Sequence, residues 1–345
     1  MAAHGGRGHA ATEIARDERI VLFTTAARRV SGGSGWIVPV HGRIFRPPDS
    51  RTAKAALAIA LKTGFGVSPD ALNRPTFDTR CALMLADSCP GRRVVVTVAG
   101  ADHMLHASDR NGQFRGVCVV PDSAIATAAS GRLSIEARLP PRDSRLIAGT
   151  ALLIEPTGLS VISDIDDTVK VTHVASRRRM MAQTFLEPFE PVPGMARVYG
   201  RWAEQGAAFH FISSSPWPLY EPLDAFLADA GFPEATKTLK NVALKDRSIR
   251  NLLSKATKTK PPAIDAILED FPGRRFVLIG DNVEKDAEIY VGAARRHRGR
   301  IARIMIRDCG GRGKNRERME RALASLEDVP STIFHTADEL PVSLA

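Results

Sequence analysis

Two kinds of hydrophobic patterning divide the chain. In the first, β-branched and aromatic residues recur over short stretches separated by Gly, Pro and Ser. The stretches are "RIVLFTTAARRV" (19–30), "GWIVPVHGRIFRPP" (35–48), "RRVVVTVAG" (92–100), "QFRGVCVV" (113–120), "RLSIEARLP" (132–140) and "IAGTALLIEP" (147–156). Their composition and turn residues predict strands. Together they predict a small, mainly antiparallel β domain over residues 19–155, after a Gly-rich polar tail at 1–18. Inside it, "SRTAKAALAIALKTG" (50–64) is Ala-rich, opens on a serine and stops at a glycine, which predicts a helix. Residues 71–87 fit neither pattern.

Beyond "EPTG" the period changes. Buried-type strands "LSVISD", "AAFHFIS", "RRFVLIGD" and "RIARIMIRD" alternate with amphipathic helices such as "MARVYGRWAEQG", "PPAIDAILEDFPG" and "KDAEIYVGAARRHRG". Residues 156–345 are therefore expected to form an α/β domain, a Rossmann-like parallel sheet with helices on both faces. In such sheets ligands gather beyond the carboxyl ends of the strands. The polar clusters "DIDDT", "SSS" and "GDNVEKD" all fall at those ends.

Composition narrows the partners. The chain has 345 residues, 44% of them apolar, enough for two cores. Its net charge of +10 favours phosphorylated metabolites, anionic lipid surfaces or nucleic acid. Aromatics are only 6% and none interleaves a basic run, so nucleic acid is not expected. Cys81, Cys89, Cys118 and Cys309 are few and scattered, which fits a reduced, cytoplasmic setting. No apolar run of 18 residues exists, so at most a peripheral contact with a membrane is expected.

The acidic clusters carry the chemistry. Asp164 and Asp166 are two apart, so an extended backbone points both to one side. Such a pair suits a divalent cation, or a nucleophile beside an acid and base. A calcium loop is excluded, because Val169 and Ala175 stand where glycine and glutamate are needed. Asp281 ends an apolar strand and is placed to complete an oxygen-rich magnesium site with Asp164, while Gly280 permits close backbone approach. Asp286 would hold a cation or orient a lysine; capping of the next helix by Asp281 or Asn282 is compatible with this. Ser213, with Ser214 next, offers hydroxyls and N–H groups for a phosphate. A lysine is needed against the phosphoryl charge. Lys260, just before a helix, is preferred over Lys245. The stretch "CGGRGKN" fails as a P-loop, since Asn315 and Asp308 occupy required Ser/Thr and Gly positions.

At this point the motifs resemble a known group. "DIDDT" is similar to the D-x-D-x-T signature of haloacid-dehalogenase-like phosphatases. "SDIDDTVKVTHV", "PVPGM", "FHFISSSPWPLY", "LKDRSIR" and "RRFVLIGDNVEKDAEIY" resemble the actin-patch-associated phosphatidate phosphatase family over about residues 155–310. The resemblance implies that Asp164 attacks phosphorus and that Asp166 protonates the departing alcohol, then activates water. It implies that Ser213 and Lys260 hold phosphoryl oxygens and that Thr168 orders the loop. It implies Mg2+ held by Asp164, the Asp166 carbonyl and Asp281, with Asp286 in support. The implied reaction is phosphatidate to diacylglycerol plus phosphate.

Only a small lid is expected, near residues 173–194. Arg177, Arg178 and Arg179 in it, and the run Arg295 to Arg300, are placed to meet anionic headgroups. Two rival readings remain open on sequence: a phosphatase of soluble phosphomonoesters or phosphoproteins, and a non-catalytic module for anionic membranes.

Overall fold

A computed structural model describes residues 12, 14–48, 55, 57–59, 61–63, 66, 74–125, 131–241, 259–310 and 313–344. The helix expected over 50–64 falls largely outside these residues. The chain divides into two compact units: residues 1–48 with 86–154, and residues 49–85 with 155–345.

The first unit is a nine-stranded sheet. Its strands are β1 (Arg19–Leu22), β2 (Thr25–Arg29), β3 (Trp36–Arg46), β4 (Asp87–Ser88), β5 (Val95–Val98), β6 (Ala101–Met104), β7 (Gln113–Val120), β8 (Arg132–Arg138) and β9 (Ala148–Ile154). The order is β1-β3-β2-β9-β8-β5-β6, with β4 and β7 also paired to β3. All pairings are antiparallel except β2 with β9. Alternation sets which face is buried: along β3, Trp36, Val38 and Val40 point into a core shared with Val96, Phe114 and Ile135.

The second unit carries a six-stranded sheet, β10 (Gly158–Asp164), β11 (Ala208–Pro216), β12 (Thr236–Lys240), β13 (Arg274–Asp281), β14 (Ile301–Arg307) and β15 (Ser331–Phe334). Its order is β12-β11-β10-β13-β14-β15, and every pairing is parallel. The sheet is flanked by helices, so the expected α/β class and the β-rich region before it are both found. Ser160 to Asp164 are buried without alternation, as a strand covered on both faces must be.

Among the described residues, the longer helices are α1 (Pro75–Leu85), α2 (Arg177–Phe185), α3 (Met195–Glu204), α4 (Tyr220–Asp229), α5 (Lys260–Asp270), α6 (Asp286–Arg296) and α7 (Gly313–Ala324). Helix α3 packs through Tyr199 against Phe209 and Phe211 of β11, and Trp202, also buried, stacks on Tyr199. The Tyr199 hydroxyl meets Ser163 Oγ at 2.8 Å, which satisfies a buried hydroxyl one residue before Asp164.

Helix α1 settles the stretch that fitted neither pattern, and it departs from the simple break expected at 155. Although it lies between β3 and β4 in sequence, it belongs to the second unit. Arg80, buried, donates from one nitrogen to the carbonyls of Gln183, Thr184 and Glu187 at 2.8, 3.0 and 2.8 Å. It thereby caps the otherwise orphaned carbonyls at the end of α2. Its guanidinium also lies 3.7 Å from the Phe189 ring centroid.

Candidate active site

Parallel pairing brings three strand ends together. Asp164 is level with Ile212 of β11, and Ser163 with Ile279 of β13. Asp164 therefore stands between Ser213 on one neighbour and Asp281 on the other. After β10 the chain folds into a tight loop. Asp167, in the left-handed region at φ 57°, accepts the N–H groups of Thr172, His173 and Val174 at 2.7–2.8 Å. Ile165 O accepts from Val169 N and Lys170 N. The turn is built before any ligand arrives.

Around Asp164 the structure gathers more carboxylates than cations. Lys260 Nζ lies 2.7 Å from Asp164 Oδ1, 2.6 Å from Asp286 Oδ1 and 3.0 Å from Glu284 Oε2. Asp164, Asp281 and Glu284 each offer an oxygen within 4.8 Å of the others. Asp164, Asp281, Asp286 and Lys260 are all buried. Burial pushes the Asp164 and Asp281 carboxyls well above the ordinary range; the neighbouring carboxylates push the same way, and Lys260 only partly opposes them. Glu284 is raised for the same reasons, burial first. Burial would lower Lys260, but Asp164, Asp286 and Glu284 overcome it and hold its pKa well above the usual value.

The details explain the local sequence. Asp281 Oδ1 accepts from Val283 N and Glu284 N, so this oxygen caps the turn into α6. Asp281 Oδ2 has no hydrogen-bond partner among the described residues. Capping and ligand binding are divided between the two oxygens of one carboxylate. Asp286 Oδ2 accepts from Asp281 N at 3.2 Å. A Cβ at Gly280 would sit 2.2 Å from that same oxygen, so only glycine lets Asp286 close in.

Asp166 lies in the opposite environment. Lys170 Nζ is 2.7 Å from its Oδ1, and Thr172 Oγ1 donates to the same oxygen at 2.9 Å. Ser213 Oγ donates to Oδ2 at 2.7 Å and Ser215 Oγ at 3.3 Å. Burial raises the Asp166 carboxyl, but the charge of Lys170 and the bonds from Lys170, Ser213 and Thr172 win, leaving it at about 2.

The remaining candidates fall nearby. Thr168 Oγ1 donates to Asp164 Oδ2 at 3.2 Å. Ser214 Oγ is buried without a hydrogen-bond partner among the described residues. Lys245 lies outside the described residues. Asn282 is structural: its amide donates to Asp308 Oδ1 and accepts from Cys309 N. Sequence reasoning passed over Glu284 and Lys170. The signal for Glu284 was a third acid inside "GDNVEKD"; for Lys170 it was the four-residue spacing from Asp166. No described helix is long and apolar enough to cross a membrane.

This segment has known counterparts. Residues 159–308 match the family model "Phosphatidate phosphatase APP1, catalytic domain". The likeness covers this segment, less than half of the chain. "Phosphatidate phosphatase APP1" of Saccharomyces cerevisiae is 30% identical over 182 residues, 52% of this chain and 28% of that protein. "Uncharacterized protein C29B5.04c" of Schizosaccharomyces pombe is 32% identical over 161 residues, 45% of this chain and 26% of that protein. The matched region thus spans about a quarter of each relative. The family segment runs from β10 to just past β14, and so contains Asp164, Asp166, Ser213, Lys260, Asp281 and Asp286.

Proposed function

We propose that the second unit is a magnesium-dependent phosphatase of the haloacid-dehalogenase-like type, hydrolysing phosphatidate to diacylglycerol and phosphate. The observation that carries this reading is the buried cluster of Asp164, Asp281, Glu284 and Asp286 around one ammonium, Lys260, within the family-matched segment. Among the described residues, these four acids close on Lys260 and carry an excess of negative charge unless protons or a cation offset it. An all-oxygen donor set, with Asp281 Oδ2 unpartnered among the described residues, suits a hard cation such as Mg2+. Asp164, the Asp166 carbonyl and Asp281 are the proposed ligands, and Glu284 stands beside them. A cation there would hold Asp164 ionised and offset phosphoryl charge.

The chain's own groups then divide the work. Asp164 attacks phosphorus, the bond to the lipid alcohol breaks, and an aspartyl-phosphate forms. Asp166 gives its proton to the leaving oxygen, then takes one from the water that releases phosphate. Lys260 and the hydroxyls of Ser213 and Ser214 hold phosphoryl oxygens, while Thr168 keeps Asp164 oriented. A cytoplasmic protein in peripheral contact with anionic membrane fits this substrate.

The test is phosphate release from phosphatidate in detergent micelles, with Mg2+ or with chelator, beside glycerol 3-phosphate and a phosphopeptide. Release from the lipid should stop with chelator and return with Mg2+. Faster turnover of the soluble esters would remove phosphatidate as the substrate. Binding to anionic vesicles with no hydrolysis of any ester would leave a non-catalytic module.

A further inference from the structure

The first turn of α2 is charged against its own helix. A helix N-terminus carries partial positive charge and favours Asp or Glu. Helix α6 follows that rule, with Asp286 and Glu288 in its first turn and Arg295 and Arg296 in its last. Helix α2 opens instead on Arg177, Arg178 and Arg179, with no acid in the first turn. All three are exposed, and none has a carboxylate partner among the described residues. Folding alone gives no reason for three cations there. An external anionic surface does.

Position adds to charge. Ser176 caps the helix, accepting from Arg179 N, and Ser176 N donates to His173 O. His173 N and Val174 N are in turn held by Asp167, one residue from Asp166. Two residues separate Val174 from Arg177, at most about 11 Å of chain. The far end of α2 is fixed as well: Arg80 caps it, and Val171 N donates to Glu190 O. The arginines therefore sit on a braced platform next to the catalytic loop.

We propose that Arg177, Arg178 and Arg179 form the face by which the protein docks on an anionic bilayer, bringing the loop to substrate held in the membrane. The inference rests on the phosphatidate reading for its purpose, though the docking itself can be measured separately. A lipid surface is favoured over a soluble anion because a bilayer offers many headgroups, so three exposed arginines on consecutive residues can each meet one without converging on a single small ligand.

The experiment uses the full chain and the triple variant R177Q/R178Q/R179Q. Removing cations from a helix start should leave thermal stability unchanged or raise it, so misfolding is controlled. Co-sedimentation is measured with phosphatidylcholine vesicles, with and without phosphatidylserine. The wild type should bind only vesicles containing phosphatidylserine, and added salt should release it. The triple variant should lose about 100-fold in affinity, from the usual contribution of each basic residue at such a surface. Its kcat/KM on a dispersed short-chain phosphatidate should match the wild type. Unchanged vesicle binding by the variant overturns the proposal, as does a wild type indifferent to phosphatidylserine. Equal loss on the dispersed substrate also overturns it, since the arginines would then contact the substrate itself. Binding to heparin but not to vesicles would assign the face to an acidic macromolecule and overturn it too. Docking that depends on these arginines, with no hydrolysis of either phosphatidate, supports the face while sinking the phosphatidate reading.

Discussion

Asp164 and Asp166 are two residues apart, equally buried for practical purposes, and opposite in electrostatic balance. Among the described residues, the Asp164 side holds four carboxylates close to Lys260, and burial raises Asp164, Asp281 and Glu284. The Asp166 side holds one carboxylate against Lys170 and three hydroxyls, and it is held at about 2. Environments that push two carboxyls apart mark divided roles. Here the resting order is the reverse of what the proposed chemistry needs, because the nucleophile must be ionised and the acid protonated. A cation on the first side reverses one half. On the second side, a phosphoryl group that draws Ser213 away from Asp166 removes one of the bonds holding it down. The difference teaches that the proposed chemistry would depend on what the site binds.

The strongest way to break this comparison is Asp164→Asn. Phosphate release should fall at least about ten-thousand-fold, as loss of an attacking group does. Cation-free thermal stability should hold or rise, because one charge leaves an over-charged cluster. Phosphate release near the wild-type rate would remove Asp164 as nucleophile. Asp166→Asn comes next, with a loss of about 100- to 10,000-fold. Its stability should move the other way, falling by about 3–5 kcal/mol in urea unfolding, since the buried Lys170 ammonium loses its counter-charge. If both variants shift stability in the same direction, the two sides do not differ as described.

Much of this could be read from the chain, for physical reasons that also explain the rest. Asp164 and Asp281 end apolar strands and Ser213 follows the apolar run of β11, and parallel pairing leaves such positions little choice but to meet. Lys260 was legible because it opens a helix feeding that edge, just ahead of Pro261 and Pro262. Lys170 was not legible, because its role depends on a loop that curls back through the left-handed Asp167 to bring residues 166 and 170 together. Glu284 looked like spacing between Asp281 and Asp286 until the turn capped by Asp281 carried it toward Lys260. Helix α1 was least legible of all. What fixes it is Arg80 reaching the carbonyl end of α2, a contact about a hundred residues away with no local signal.

Titration separates the two sides without mutation. Asp164, Asp281 and Glu284 have folded pKa values above their unfolded ones, so the native state holds the extra protons. Their contribution to stability is present at low pH and lost as pH rises through the raised values. Asp166 is depressed, so its contribution is present above its ordinary 3.8 and lost as pH falls toward about 2. With chelator, the melting temperature should therefore decline from mildly acid pH toward neutral and alkaline pH. Mg2+ at a hundred times its dissociation constant should restore about 2.7 kcal/mol, with a larger gain at high pH than at low. A flat profile with chelator, or equal gains at both ends, would contradict a cluster short of positive charge.

The smallest expected effect tests whether Asp286 belongs to the Asp164 side as a prop. In Gly280→Ala the new Cβ would meet Asp286 Oδ2 at 2.2 Å and its Cβ at 2.7 Å. Asp286 must back away, giving up the Asp281 N–H and loosening its bond to Lys260. Overpacking of this kind costs about 1–3 kcal/mol. Lys260 would then lean on Asp164 and Glu284 alone, so Mg2+ affinity by calorimetry should change while the Asp166 side keeps its bonds. Glycine is not needed here for its backbone angle, since Gly280 has no positive φ; the requirement is space alone. If Gly280→Ala binds Mg2+ and unfolds like the wild type, Asp286 has room the geometry denies it, and its place in the cluster is incidental.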